Sequence, residues 1–198
     1  MNSQDYLKCL NKTLDNCRGC CLSLQNNQTY ANKSVPGFGS STAKIVFIGE
    51  APGKVEDQEG LPFVGPAGIV LQQLILDVGL TIQDVYLTNI LKHRPPNNRD
   101  PQTDEATACT SRYLNYELKV IRPKVIVCIG RIPTKILHGN QNKVLPVGSL
   151  QGIRFNWLDI QCITTWHPAY YLRNKKPNIY QNMIDDITWA KNYANTSS

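Results

Sequence analysis

The stretch KIVFIGEAPG, residues 44–53, decides the fold. Its first six residues are a short apolar run closed by a glycine, the pattern of a parallel strand buried on both faces. A turn follows, then the carboxylates Glu56 and Asp57 and the lone aromatic Phe63. Working outward, PAGIVLQQLILDVGL carries apolar residues at helical spacing and ends at Gly79, a C-cap residue. DVYLTNI reads as a second strand, and LKHRPPNNRDPQ as a loop, because its prolines and Asn-Asn continue neither element. A helix is expected from Thr103 to about Val120, and KVIVCIG gives a third buried strand. RIPTKILHG is a short helix, IQCITTWHPAYYLR a fourth strand running into a loop, and Asn178 to Tyr193 a closing helix.

Strands alternating with helices predict a three-layer α/β/α sandwich on a mainly parallel sheet. One domain over residues 1–198 is expected, with an N-terminal arm over about 1–40 that reads as a helix, a cysteine turn and an irregular segment. At 41% hydrophobic and 18% charged, the composition is that of a globular protein. No apolar run approaches the ~20 residues that span a bilayer, which excludes a membrane-spanning helix. MNSQDYLKCLNKTLDNC lacks the pattern of a signal peptide, so an intracellular protein is expected. The net charge of +6 suits a polyanionic partner. Seven cysteines in a reducing compartment argue for metal or cluster ligation rather than a disulfide framework.

In such sheets ligands bind beyond the carboxyl ends of the strands. Three polar segments fall there: Gly49-Glu50-Ala51-Pro52-Gly53, Thr88-Asn89 and Trp166-His167-Pro168. Each has a bland reading alone (a helix N-terminal carboxylate, a turn former, a satisfied histidine), but together they mark a site.

GEAPG, then Glu56-Asp57, GLPFVGPAG, TNILKHRPPNNRDP and HPAYYLR, in that order, resemble the family 4 uracil-DNA glycosylases. The resemblance runs from Cys17 to the loop around Arg173, about four fifths of the chain. It implies a four-stranded α/β/α fold and a monofunctional DNA repair enzyme that hydrolyses the N-glycosidic bond of a flipped uracil nucleotide. It also implies that the turn from Gly49 through Ala51 to Gly53 lies under the base with its amides near O2, and that Phe63 stacks on the ring. Asn89 would pair with N3–H and O4, the reverse of the pattern cytosine offers. His167 would donate to O2 as negative charge gathers on the departing base. Glu50 would orient water or stabilise the oxocarbenium-like sugar, with Glu56 a second candidate. Ala51 stands where the best-known glycosylase relatives carry an Asp that handles water. Tyr171 and Leu172 would act as wedges with Arg173 on phosphate, and Arg94 and Arg99 as backbone contacts. No lysine matches a Schiff-base position; Lys54 is the nearest, and is read as a solvent or phosphate residue.

The same resemblance implies a [4Fe–4S] cluster held by four cysteines, of which Cys17, Cys20 and Cys109 are present. The fourth position holds His93. Three readings compete: His93 as ligand in place of the thiolate, Cys21 or another thiol taking over, or a cluster that is absent, labile or replaced by zinc. Cys9, Cys128 and Cys162 are assigned to packing. Leu150-Gln151-Gly152 stands where the family carries Arg-Gly, which removes one basic contact. The partner expected is uracil-containing DNA, engaged by a monomer at the nucleoid and not at a membrane; a non-catalytic or covalent binder of such DNA is the alternative.

Overall fold

In the computed structural model, residues 2–23, 33–139 and 151–196 are described. Leu150 and part of the N-terminal arm lie outside them. A six-stranded sheet runs in the order β1-β3-β2-β4-β6-β5. Its core is four parallel strands: β2 (Ile45–Gly49), β3 (Val85–Asn89), β4 (Val125–Ile129) and β6 (Ile160–Thr165). These are the four runs expected from the sequence. The two further strands, β1 (Phe38–Gly39) and β5 (Arg154–Trp157), are short, half-exposed and antiparallel, one at each edge. Neither carries the continuous apolar run that marks a buried strand, and the expected four strands become six.

Successive residues of β2 point to opposite faces and build two cores. Ile45 and Phe47 pack with Leu71, Leu74 and Ile75 of α3 (Pro66–Asp77) and with Met183 and Ile187 of the last helix, Pro177–Thr196. Val46 and Ile48 pack with Leu7 and Leu14 of α1 (Ser3–Leu14), with Leu114 and Leu118, and with Leu137 of the helix Arg131–His138. The helix expected from Thr103 is α4 (Thr103–Cys109), a π-helical turn at Thr110–Leu114 and α5 (Asn115–Ile121) in unbroken succession. With Arg131–His138 as α6 and Pro177–Thr196 as α8, two α-helices are new to the sequence reading: α2 (Lys54–Glu59) and α7 (Pro168–Asn174). Both follow strand-end turns, and α7 takes Pro168 at its first position, where the missing N–H costs nothing.

Among the described residues, one ion pair lies wholly inside. Lys92 is 0% and Glu117 1% exposed, with Nζ to Oε2 at 2.7 Å. Lys92 also donates to the Thr88 hydroxyl and to the Asn89 carbonyl, at 3.1 Å for the latter. Glu117 accepts from the Thr88 hydroxyl at 2.9 Å, the Gly37 amide at 3.3 Å and the Tyr86 hydroxyl at 3.4 Å. Removing one partner of such a pair leaves an uncompensated buried charge. Glu117→Ala is therefore expected to lose about 3–5 kcal/mol of stability, read as a lower urea midpoint at unchanged m value. Tyr86→Phe, which removes one long contact, should cost about 1 kcal/mol or less.

Candidate active site

The carboxyl ends of β2, β3, β4 and β6 open into one cleft of about 640 Å³. Glu50, Ala51, Gly53, Glu56, Phe63, Asn89, His167, Leu172 and Arg173 all line it. Thus the three separate polar segments of the sequence meet at one edge of the sheet.

Gly49 sits directly across the ladder from Asn89. A Cβ on Gly49 would lie 2.3 Å from Asn89 Oδ1 and 2.7 Å from Phe63 Cζ, so only glycine lets the amide and the ring close together. Asn89 is 4% exposed, a buried amide able to donate and accept at once. Phe63 has φ of +56°, an uncommon conformation for a bulky residue. Its carbonyl accepts from Gln72 Nε2 at 2.8 Å, and Gly68 makes room for it: a Cβ there would fall 2.1 Å from the Phe63 carbonyl carbon. Strain held in place by its surroundings is typical of ligand clamps.

Glu56 lies in the first turn of α2 and accepts the Gly65 amide at 2.8 Å. Its carboxylate also lies against Gly53, where a Cβ would be 2.7 Å from Oε2. It thereby ties the turn after β2 to the segment that carries Phe63. Glu50 is differently placed: burial pushes its carboxyl up to about 7, Asp100 adds to the rise and Arg131 opposes it.

His167 caps α7, its Nδ1 accepting the Ala169 amide at 3.1 Å. That contact assigns the neutral tautomer with its proton on Nε2, as a donor toward the cleft. Burial holds the imidazole down to about 4, Arg173 adds to this, and Glu56 opposes it. Gly130, at φ +86°, lets the His167 side chain approach; a Cβ there would be 3.0 Å from that of His167.

Other expected residues are held elsewhere. The Tyr171 ring packs on Tyr180, with centroids 5.1 Å apart, and is absent from the cleft lining, while Leu172 is present. Arg99 forms a two-pronged pair with buried Glu105, at 2.6 and 2.8 Å, and fastens the Pro-rich loop to α4. Arg94 donates to Asn98 at 2.8 Å on the surface. Sequence reasoning missed Arg131, which lines the cleft paired with Asp100 at 2.6 Å; Trp166, named only as part of a strand-end segment and given no role, also lines it, stacked on Tyr170 with centroids 4.7 Å apart. Gln151 also lines the cleft and accepts from Asn182 at 3.0 Å. Arg131 opens α6 directly after Gly130 at the end of β4, and a single basic residue at a helix start carries no motif, so it gave no signal.

Cys17, Cys20 and Cys109 gather at the end of α4. Cys109 donates to Cys20 and holds that thiol below the usual range, and the amides of Leu22 and Ser23 act in the same direction. Cys17 is buried and accepts the Gly19 amide at 3.3 Å and the Tyr113 hydroxyl. The Lys92 amide donates to Cys109. His93, one residue on, is 1% exposed, and neither ring nitrogen has a hydrogen-bond partner among the described residues. Burial lowers it to about 4, while Asp57 and Asp15 pull the other way. Cys21 instead donates to Glu105 at 3.2 Å. Among the described residues, no three His, Cys, Asp or Glu side chains close on a point that would hold a metal ion.

Three comparisons bear on this arrangement. A type-4 uracil-DNA glycosylase of Saccharolobus solfataricus is 44% identical over 168 residues, covering 82% of this chain and 76% of the relative. One from Sulfurisphaera tokodaii is 38% identical over 198 residues, covering 97% and 86%. One from Thermotoga maritima is 34% identical over 191 residues, covering 96% and 95%. The family model of the uracil DNA glycosylase superfamily matches residues 36–188, and the chain belongs to that superfamily.

Proposed function

We propose that this protein excises uracil from DNA as a monofunctional glycosylase, hydrolysing the N-glycosidic bond of a flipped nucleotide and leaving an abasic site. The observation that carries the reading is the joint closure of Asn89 and Phe63 over Gly49, with a neutral imidazole facing the same cleft.

Uracil enters between the Phe63 ring and the turn after β2. The Asn89 amide nitrogen donates to O4 and its oxygen accepts N3–H; cytosine would leave both groups unpaired, which costs several powers of ten in discrimination. As the C1′–N1 bond lengthens, negative charge moves to the base and positive charge to the sugar. The His167 Nε2–H donates to O2 and stabilises the leaving anion. Ionised Glu50 faces the sugar, stabilises its charge and orients a water whose oxygen bonds to C1′; the proton released passes to Glu50. Glu56 holds the two walls of the pocket in register. Leu172 fills the space vacated in the duplex, with Arg173 on phosphate and Arg131 beside it.

The cluster is part of the same proposal. Cys17, Cys20 and Cys109 would supply three thiolates, and the ring nitrogens of buried His93, without a hydrogen-bond partner among the described residues, support it as the fourth donor. A [4Fe–4S] group so held would order the arm and the Pro-rich loop; zinc on the same donors is the alternative. Purified anaerobically, the protein should contain about four iron and four sulfide per chain, lost in Cys109→Ser and reduced in His93→Ala; zinc without sulfide would assign the alternative.

Uracil release from an oligonucleotide bearing one uracil tests the activity. Asn89→Ala should slow release about 100-fold, and His167→Ala about 100- to 1,000-fold. Binding without release, or a protein band shifted by DNA after denaturation, would replace hydrolysis with capture.

Glu50 sets the pH dependence. If it acts ionised, the single-turnover rate should rise about tenfold per pH unit below 7 and level off above it. Glu50→Gln should flatten that limb. The sign for stability is opposite: a carboxyl raised from its ordinary 4.5 to about 7 stabilises the fold below pH 4.5, a contribution lost as pH climbs through 7. Glu50→Gln should therefore melt higher than the wild type at pH 8 and no higher at pH 4.

A further inference from the structure

We propose that Lys92 is a positioning residue for base reading: its buried ammonium, neutralised by Glu117, clamps the end of β3 and thereby fixes where the Asn89 side chain projects. This rests on the role of Asn89 given above.

Lysine is almost never fully buried unless paired, and taking two charges out of water offsets most of what their attraction contributes. Apolar residues of similar volume would serve the core equally well. What an apolar pair cannot do is hold a strand end. All three ammonium protons of Lys92 are directed: to Glu117 Oε2 at 2.7 Å, to the Thr88 hydroxyl, and to the Asn89 carbonyl at 3.1 Å. The chain beyond Asn89 is tied to the opposite strand by Ile90 N–H to the Gly49 carbonyl at 2.9 Å and by Leu91 N–H to that of Glu50 at 3.0 Å. The strand end is thus gripped from the turn on one side and from Lys92 beneath.

Lys92 is itself fixed through its backbone. Its carbonyl accepts the Val35 amide at 2.8 Å, and its own amide donates to Cys109. Glu117 is fixed in turn by Tyr86, Thr88 and Gly37. One residue therefore connects the base-reading strand end to the N-terminal arm and to the cysteines beside α4. Because the Asn89 amide must meet two base atoms within hydrogen-bond geometry, a shift of the strand end by even ~1 Å costs on the order of 100-fold in rate.

The test compares four proteins in single-turnover excision: wild type, Asn89→Ala, Lys92→Met/Glu117→Leu, and the triple variant. The double variant should melt at or near the wild-type midpoint, since the charge pair is removed as a unit. Its rate should fall about 100-fold, with affinity for the abasic product strand unchanged. Adding Asn89→Ala to it should cost less than about threefold, because the amide is already misplaced and the two effects share one cause. A folded double variant that excises at the wild-type rate, or an Asn89→Ala effect that multiplies in full, would overturn the proposal. If Asn89→Ala alone has no effect, the reading of Asn89 falls and the clamp with it; if Asn89→Ala is slow and the double variant is not, the clamp alone falls. Should the double variant fail to fold, Thr88→Val removes one of the three acceptors of Lys92. A loss of about tenfold, again non-additive with Asn89→Ala, is then expected, and an unchanged rate overturns the proposal.

Discussion

The pairing of Gly49 with Asn89 across β2 and β3 is the constraint on which the site depends. It places a residue without a side chain opposite the amide, and the vacated volume is where Phe63 enters. Any Cβ at Gly49 would strike both groups. The parallel register is in turn fixed by five consecutive residue pairs, from Ile45 with Val85 onward, all buried. A slip by one residue would send Ile45 and Phe47 into the core that Val46 and Ile48 now fill. The geometry of the pocket is thereby inherited from the packing of the preceding residues of the same strand.

Around this constraint, charged groups serve mostly to fix loops. Arg99 binds Glu105, which also accepts the Gln102 amide and so caps α4. Lys92 binds Glu117 beneath β3. Glu56 bridges the walls of the cleft. The basic residues that line the cleft are Lys54, Arg173 and Arg131, the last paired with Asp100. The total of 21 Lys and Arg therefore overstates how many cations face a polyanion, because some are paired within the fold, although each such pair leaves the net charge of +6 unchanged.

The parallel core and the site were legible in the sequence for one physical reason. Strands buried on both faces must be apolar throughout, so KIVFIG, VYLTN, VIVCIG and IQCITT stand out, and the polar residues that end them fall on one edge. The edge strands were not legible: two residues at Phe38–Gly39 and the alternating RFNW carry no such run. Nor was α7, since HPAYYLR shows neither helical periodicity nor a standard cap, and His167 acts as cap only through its ring nitrogen. The Lys92–Glu117 pair was invisible because KHRPP resembles an exposed basic loop, and nothing local indicates a carboxylate 25 residues on. The pairing of Arg99 with Glu105 was equally invisible. Pairings across a fold leave no trace in local spacing.

Burial acts on both titratable groups of the proposed reaction, and in opposite directions. It disfavours the charged form of each, raising the Glu50 carboxyl to about 7 and lowering the His167 imidazole to about 4. Below about 7 the two groups are therefore both neutral over most of the range, and the cleft is poor at stabilising a cationic sugar. Above it, Glu50 is anionic while His167 still carries a single proton, which the Ala169 amide assigns to Nε2. A protonated imidazole would stabilise the leaving base more strongly, but holding that charge would require the cleft to compensate its desolvation, and Arg173 acts against it. The neutral donor is the arrangement that this amount of burial permits. In the proposed reaction the Glu50 anion would serve the opposite end of the breaking bond, so that one desolvated cleft would supply a hydrogen bond where negative charge develops and a negative charge where positive charge develops.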